Sequence, residues 1–319
     1  MHARILCLRV VLTFISKRDA HRSRLTFQIF IHSNLEIVAN LLQKGIRKTT
    51  SEYRYLSDVA EHRTSLPQLA QDEATIVDTL DREGICITSL DALGIPSSQK
   101  MIEDALAVRD EMCEVGAKNN FFVLPSEEQR IANPSFFLWG LEPKLTRIVE
   151  AYIRLPISYL GVGLLRSKPD GDNSKSRCWH RDTQDRRHVK VTVYFNDVNE
   201  AGGPFQFLPH TVTPFFLPTW YSKVYKKNFM SDDKMSKFVS PDKWKSCTGA
   251  SGTVIFFEPN GFHRGKIPTE SERFAAIYKY ASRHPKHPDF CDPHFSANEL
   301  NTYQQYLTPE QKEMVWKIR

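Results

Sequence analysis

Val191 to Thr211 reads VTVYFNDVNEAGGPFQFLPHT, and this stretch carries the fold signal of the chain. Lys190 to Phe195 and Pro204 to Leu208 are rich in Val, Phe and Tyr, side chains that suit a pleated, half-buried surface. Between them stand Asn196-Asp197 and Ala201-Gly202-Gly203-Pro204, residue types that turn a chain and end regular structure. The same texture extends outward to Ile157 to Leu165, Thr253 to Phe257 and Phe274 to Ala281. Short strands with no helices between them predict an antiparallel sandwich or barrel, not a doubly wound parallel sheet.

Upstream of Pro156 the pattern changes to helical. Leu69, Ala74, Ile76, Val77 and Leu80 share one helical face, and Gly84 stands where a C-terminal cap belongs, ahead of a short strand Ile85 to Ile87. Ser97 or Ser98 can cap a second helix carrying Ile102, Ala105, Leu106 and Met112, and Leu141 to Leu155 makes a third. At the other end, Thr308-Pro309-Glu310-Gln311 is a capping box that opens a last helix through Ile318.

The 319 residues are 41% hydrophobic and 25% charged, which excludes disorder and fibrous architectures. No stretch approaches the ~18 apolar residues of a membrane span; Ile5 to Ile15 is interrupted by Arg9. The formal charge of +6 is unevenly placed. Residues 1–50 hold nine Lys/Arg against Asp19 and Glu36, while the remaining 269 residues hold 34 basic and 35 acidic groups. The body of the protein therefore has no field to attract a polyanion. Residues 1–50 read as a basic, non-core extension, and 51–319 as a single domain. Cytoplasm is the default location, with organellar targeting by the basic N-terminus left open. The six cysteines show no CxxC spacing, so free thiols are expected.

The chemistry concentrates in Cys178-Trp179-His180-Arg181-Asp182, followed by Gly261-Phe262-His263-Arg264-Gly265 and then Arg273. In an extended strand residues i and i+2 share a face, so His180 and Asp182 can meet one metal ion while Arg181 points away. His263, after the strand Thr253 to Phe257, would close the triangle. Two imidazoles and one carboxylate leave open positions on an octahedral metal, the arrangement that suits non-haem iron oxygenases. A His-x-Asp pair alone carries little weight, because it arises often by chance. Arg273 strengthens it: an arginine on a strand within a β core needs an anionic partner, which a dicarboxylate co-substrate would supply.

On these residues, and on GTVIFFEPNGFHRG from Gly252, the chain from about Thr79 to His284 resembles the phytanoyl-CoA dioxygenase-like branch of the Fe(II)- and 2-oxoglutarate-dependent oxygenases. The resemblance implies a mainly β fold with helical flanks (α+β), built on a double-stranded β-helix (jelly-roll, cupin-like) core. It implies that His180, Asp182 and His263 bind iron, that Arg273 binds the distal carboxylate of 2-oxoglutarate, and that Thr192 helps to hold it. The co-substrates would be 2-oxoglutarate and O2, the products succinate and CO2, and the default outcome hydroxylation of a C–H bond. The presence of Asp182, where halogenating relatives have a small residue, argues against chlorination. Gly265 replaces a hydroxyl residue found in some members.

Residues 211–251 form an insertion expected to lie over the pocket mouth. Its aromatics, Phe215, Phe216, Trp220, Tyr221, Tyr225, Phe229, Phe238 and Trp244, alternate with seven lysines. The insertion reads equally as a substrate-recognising lid or as a small core with a solvated lysine face. Gln206, His210 and Trp179 are candidate substrate contacts. The expected partner is a small-molecule substrate, with no nucleic acid and no stable membrane insertion. Two readings from other classes stand beside the oxygenase: a non-catalytic jelly-roll binding protein, and a His/His/Asp zinc hydrolase that would leave Arg273 without a role.

Overall fold

The computed structural model describes residues 49–109, 112, 122–123, 125–169, 171, 175–224 and 229–315. Most of the basic extension, Tyr225, Cys7 and Cys113 lie outside these residues. The chain divides into two units, Met1–Glu61 and His62–Arg319. Of the first, residues 49–61 are helical.

In the second unit two antiparallel sheets face one another. The larger has the order β1 (Ile85–Ser89), β7 (Thr253–Phe257), β4 (Val189–Tyr194), β9 (Arg273–Ser282), β3 (Ile157–Ser167), β2 (Phe122–Val123). The smaller has the order β6 (Lys245–Cys247), β5 (Phe205–Phe207), β8 (His263–Gly265). Ile85, Tyr194, Ile255, Phe257 and Ala275 of the larger sheet pack against Phe205, Phe207 and Cys247 of the smaller. This is the jelly-roll expected from the sequence, and every neighbouring pair of strands is antiparallel.

The outer face of the larger sheet carries the helices. Trp139 stacks at 4.8 Å on Tyr278, and Tyr280 Oη donates to Gly140 O at 2.6 Å. Helix α1 (Gln71–Glu83) buries Ile76, Val77 and Leu80 and ends at Gly84, whose N–H donates to Leu80 O in the left-handed conformation, φ +74°. Helix α2 (Ser98–Arg109) differs from its expected face. It buries Met101, Ala105 and Val108, and leaves Leu106 exposed. Helix α3 (Pro143–Ile153) buries five apolar side chains toward the sheet and joins α1 through Lys144–Asp72 and Arg147–Glu73. The Thr308 capping box forms as read, but its helix stops at Met314, because Val315 takes an extended conformation and pairs with Tyr159.

The insertion folds largely on itself. Helix α4 (Leu217–Val224) contributes Leu217 and Tyr221 to a core with Met230, Met235, Val239, Trp179, Leu208 and Phe262. Its last residues belong to the smaller sheet, since β6 pairs with β5. Cys86, Cys178, Cys247 and Cys291 are free thiols.

Candidate metal centre and co-substrate pocket

His180 and His263 meet through their backbones before their side chains matter. Each N–H donates to the other's carbonyl at 3.0 Å, so His180 forms an antiparallel bridge beside β8. That pairing brings both imidazoles to one face, ring centres 4.3 Å apart. Asp182 N donates to Pro259 O at 2.8 Å, which keeps the chain extended and returns the Asp182 carboxylate to the same face. His263 Nε2 lies 3.6 Å from Asp182 Oδ2, and one ligand atom from each of the three residues falls within 4.8 Å of the others.

Each imidazole is oriented by a main-chain acceptor. His180 Nδ1 lies 2.9 Å from Cys178 O, and His263 Nδ1 lies 3.0 Å from Gly261 O. A carbonyl only accepts, so Nδ1 carries the proton and Nε2 keeps its lone pair toward the centre, the state a metal-ligating histidine needs. Burial, with His263 adjacent, pushes His180 down to about 3, so its ring is neutral at ordinary pH. Burial alone would raise the Asp182 carboxyl, but Lys190 and the two histidines hold it well below the carboxylate range. The Lys190 ammonium rests on Asp182 Oδ2, which shows that this carboxylate already draws a cation.

Arg273 begins β9 on the inner face and is buried. Its Nη1 and the buried Thr192 Oγ1 both lack hydrogen-bond partners, and no carboxylate of the described residues forms an ion pair with Arg273. Burial lowers the guanidinium, with Tyr194 offsetting part of that and Arg177 adding to it. Two orphaned polar atoms on the inner wall of the larger sheet, opposite the strand that carries His263, fit a carboxylate-bearing co-substrate. Gly265 belongs to the same cradle. A β-carbon there would stand 2.7 Å from Arg273 Nη2, so the missing side chain is the space the guanidinium occupies.

The remaining sequence candidates, Trp179, Gln206 and His210, lie apart from this cluster. Trp179 is fully buried in the core of the insertion, pairs through its backbone with Met230, and stacks under Arg264 at 4.9 Å. Gln206 points away from Phe205 and Phe207 and accepts from Arg264 Nε at 2.8 Å. Arg264 also pairs with Asp232, so Trp179, Gln206 and Arg264 fasten the insertion. His210 sits 3.2 Å from Glu258 and lines a cavity of about 700 Å³ together with Arg181 and Thr183, the residues that alternate with the metal ligands. None of His180, Asp182 and His263 lines that cavity. From the insertion, Phe229 reaches the metal face, edge-on to His180 at 5.4 Å. Lys190 was not foreseen. A lysine in a strand carries no signal of its own, and only the β4 register brings it to Asp182.

No family model matches the chain, and no curated protein matches it. Solved structures resemble it at low identity. HygX from Streptomyces hygroscopicus, with nickel and 2-oxoglutarate bound, gives a TM-score of 0.45 at 16% identity over 68% of this chain and 88% of its own. The epimerase SnoN, in complex with Fe3+, alpha ketoglutarate and nogalamycin RO, gives 0.47 at 15% identity over 70% of this chain and 91% of its own. The carbocyclase SnoK from nogalamycin biosynthesis gives 0.44 at 14% identity over 76% of this chain and 93% of its own.

Proposed function

We propose that the protein is an Fe(II)- and 2-oxoglutarate-dependent dioxygenase that hydroxylates a C–H bond of a small metabolite. The observation that carries this reading is the buried Arg273, without a carboxylate partner among the described residues, on the larger sheet, whose inner face is opposed by the smaller-sheet strand that carries His263 of the His180–Asp182–His263 cluster. A zinc hydrolase would use the three ligands and leave Arg273 uncompensated, and a burial that costs so much favours a ligand of opposite charge.

In this reading His180 and His263 bind the metal through Nε2 and Asp182 through its carboxylate, while Arg273 and Thr192 hold the far carboxylate of 2-oxoglutarate. When bound, the iron supplies oxygen activation coupled to the breakdown of 2-oxoglutarate to succinate and CO2. The chain's own residues orient that chemistry. Main-chain acceptors at Cys178 and Gly261 fix both imidazoles. Phe229 covers His180, and the Phe205 ring, 5.8 Å from His263, keeps the inner side of the centre apolar.

The test is succinate formation from 2-oxoglutarate by anaerobically purified protein given Fe(II) and then oxygen. Wild type is expected to show slow turnover without its substrate, and His180→Ala and Arg273→Ala to lose it. An inactive wild type that binds zinc tightly and shows no 2-oxoglutarate binding by calorimetry would sink the oxygenase reading in favour of the hydrolase or the binding protein.

A further inference from the structure

The inner wall of the larger sheet carries a second charged feature beyond the co-substrate pocket. Lys190 of β4 and Lys279 of β9 are direct cross-strand partners. Both point inward: Lys279 shares its face with Ala275 of the sandwich core and with Arg273, and Lys190 reaches Asp182. Like charges opposite one another on a sheet destabilise it, so this pair needs a compensating anion. Those acting on Lys279 are Asp182 and the more distant, exposed Asp292. The contact Lys279 does make is with His294 Nε2, another nitrogen.

Beside this pair β3 contributes two glycines, whose place is taken by Phe295 and His294. Lys279 is flanked on its other side by Gly161 of β3, and the next inward pair is Gly163 with Ile277. His294 leans over this glycine floor, its Nδ1 3.3 Å from where a Gly163 β-carbon would stand. Two lysines and a histidine thus cluster next to Asp182. Burial and the neighbouring Lys190 pull the Lys279 ammonium down to about 7, with Asp182 and Asp292 offsetting part of that.

A divalent metal held by Asp182 would compete with Lys190 for the charge of that carboxylate. A divalent metal, the Asp182 carboxylate, doubly ionised 2-oxoglutarate and Arg273 sum to zero charge, so Lys190 and Lys279 remain in excess on the substrate side. We infer that Lys190 and Lys279, with His294 at the rim, form the subsite for an anionic group, a carboxylate or a phosphate, of the primary substrate. This inference rests on the oxygenase reading above and specifies its substrate class as an acid or a phosphorylated small molecule.

Calorimetry on protein loaded with Ni(II) and 2-oxoglutarate tests it, with benzoate and phenyl phosphate as probes against uncharged benzamide. Wild type is expected to bind one of the anions about tenfold or more tightly than benzamide, the size of one charge-assisted hydrogen bond. The tighter of the two anions tells carboxylate from phosphate. Lys279→Met should abolish the preference and Lys279→Arg should keep it, while both leave 2-oxoglutarate affinity within about twofold and melt cooperatively. A wild type that binds 2-oxoglutarate but shows no anion preference, or a preference that survives Lys279→Met, overturns the inference alone. Loss of 2-oxoglutarate affinity in both Lys279 variants also overturns it, by assigning the pair to the co-substrate. Absence of 2-oxoglutarate binding in wild type overturns the parent reading and this one with it.

Discussion

Gly265 shows how one absent side chain makes room for the Arg273 guanidinium. Its hydrogen faces Arg273, and a methyl there would stand 2.7 Å from Nη2, inside any tolerable contact. Gly265→Ala should therefore displace the guanidinium without straining the backbone, and weaken 2-oxoglutarate binding by about tenfold, the worth of one charge-assisted hydrogen bond. Calorimetry with Ni(II)-loaded protein reads the affinity, and a thermal melt checks the fold. Unchanged affinity would mean that Arg273 does not hold the ligand from where it lies. At this scale the pairing of His180 with Asp182 was legible from spacing, because i and i+2 share a face in any strand, whereas His263 joins them through the strand pairing at His180. Lys190 and Lys279 were not legible, because their meeting depends on the register of β4 against β9.

At the scale of elements, the junction of α1 and β1 ties the helical layer to the site. Gly84 ends α1 with φ +74°, its carbonyl accepts from Glu258 N at 2.9 Å, and a β-carbon there would meet the His210 ring at 2.4 Å. Gly84→Ala combines a left-handed penalty of roughly 1–2 kcal/mol with that clash, so a loss of about 2 kcal/mol or more is expected in urea unfolding. A loss below about 0.5 kcal/mol would show that the loop at Glu258 yields freely. The Gly84 cap was readable because a glycine after an apolar periodic run has one common use. Of the residues expected to be buried along α2 and just past it, Ala105 and Met112 are, whereas Ile102 and Leu106 give way to Met101 and Val108. The apolar residues of α2 spread over more than one face, and packing selected Met101, Ala105 and Val108. Strands β6 (KSC) and β8 (HRG) carry none of the Val, Ile, Phe and Tyr that mark the equally short β5 (FQF), and so gave no strand signal.

Across the whole molecule, buried neutral histidines set the acid limit of the metal-free protein. His188 is buried, and burial, partly opposed by Asp182, pushes it down to about 4, against an ordinary value near 6.5. Below pH ~6.5 the unfolded chain takes up a proton that the folded one refuses, so stability is full above that pH and falls as pH drops toward 4. Each such imidazole adds about 1.4 kcal/mol per pH unit to the slope, and His180, pushed down to about 3, behaves alike. Urea unfolding of metal-free His188→Asn between pH 4 and 7 should show a slope smaller by about one proton than wild type, whatever its absolute stability. An unchanged slope would mean that His188 titrates normally in the folded state.

The sequence by itself determined the strand-rich architecture, the helical front layer and its caps, and the candidates His180, Asp182 and Arg273. Those follow from local rules, since alternation, turn residues and permanent charge act within a few residues of one another. Only the tertiary structure decided which candidates reach the centre. Trp179 and Gln206 were drawn into the footing of the insertion, because its aromatics bury more surface against one another than over an open pocket. His210 went to the far side of the metal-binding strand, and Lys190 and Lys279 came to the near side. These placements depend on strand register and on competition for burial between distant segments, which no local pattern encodes.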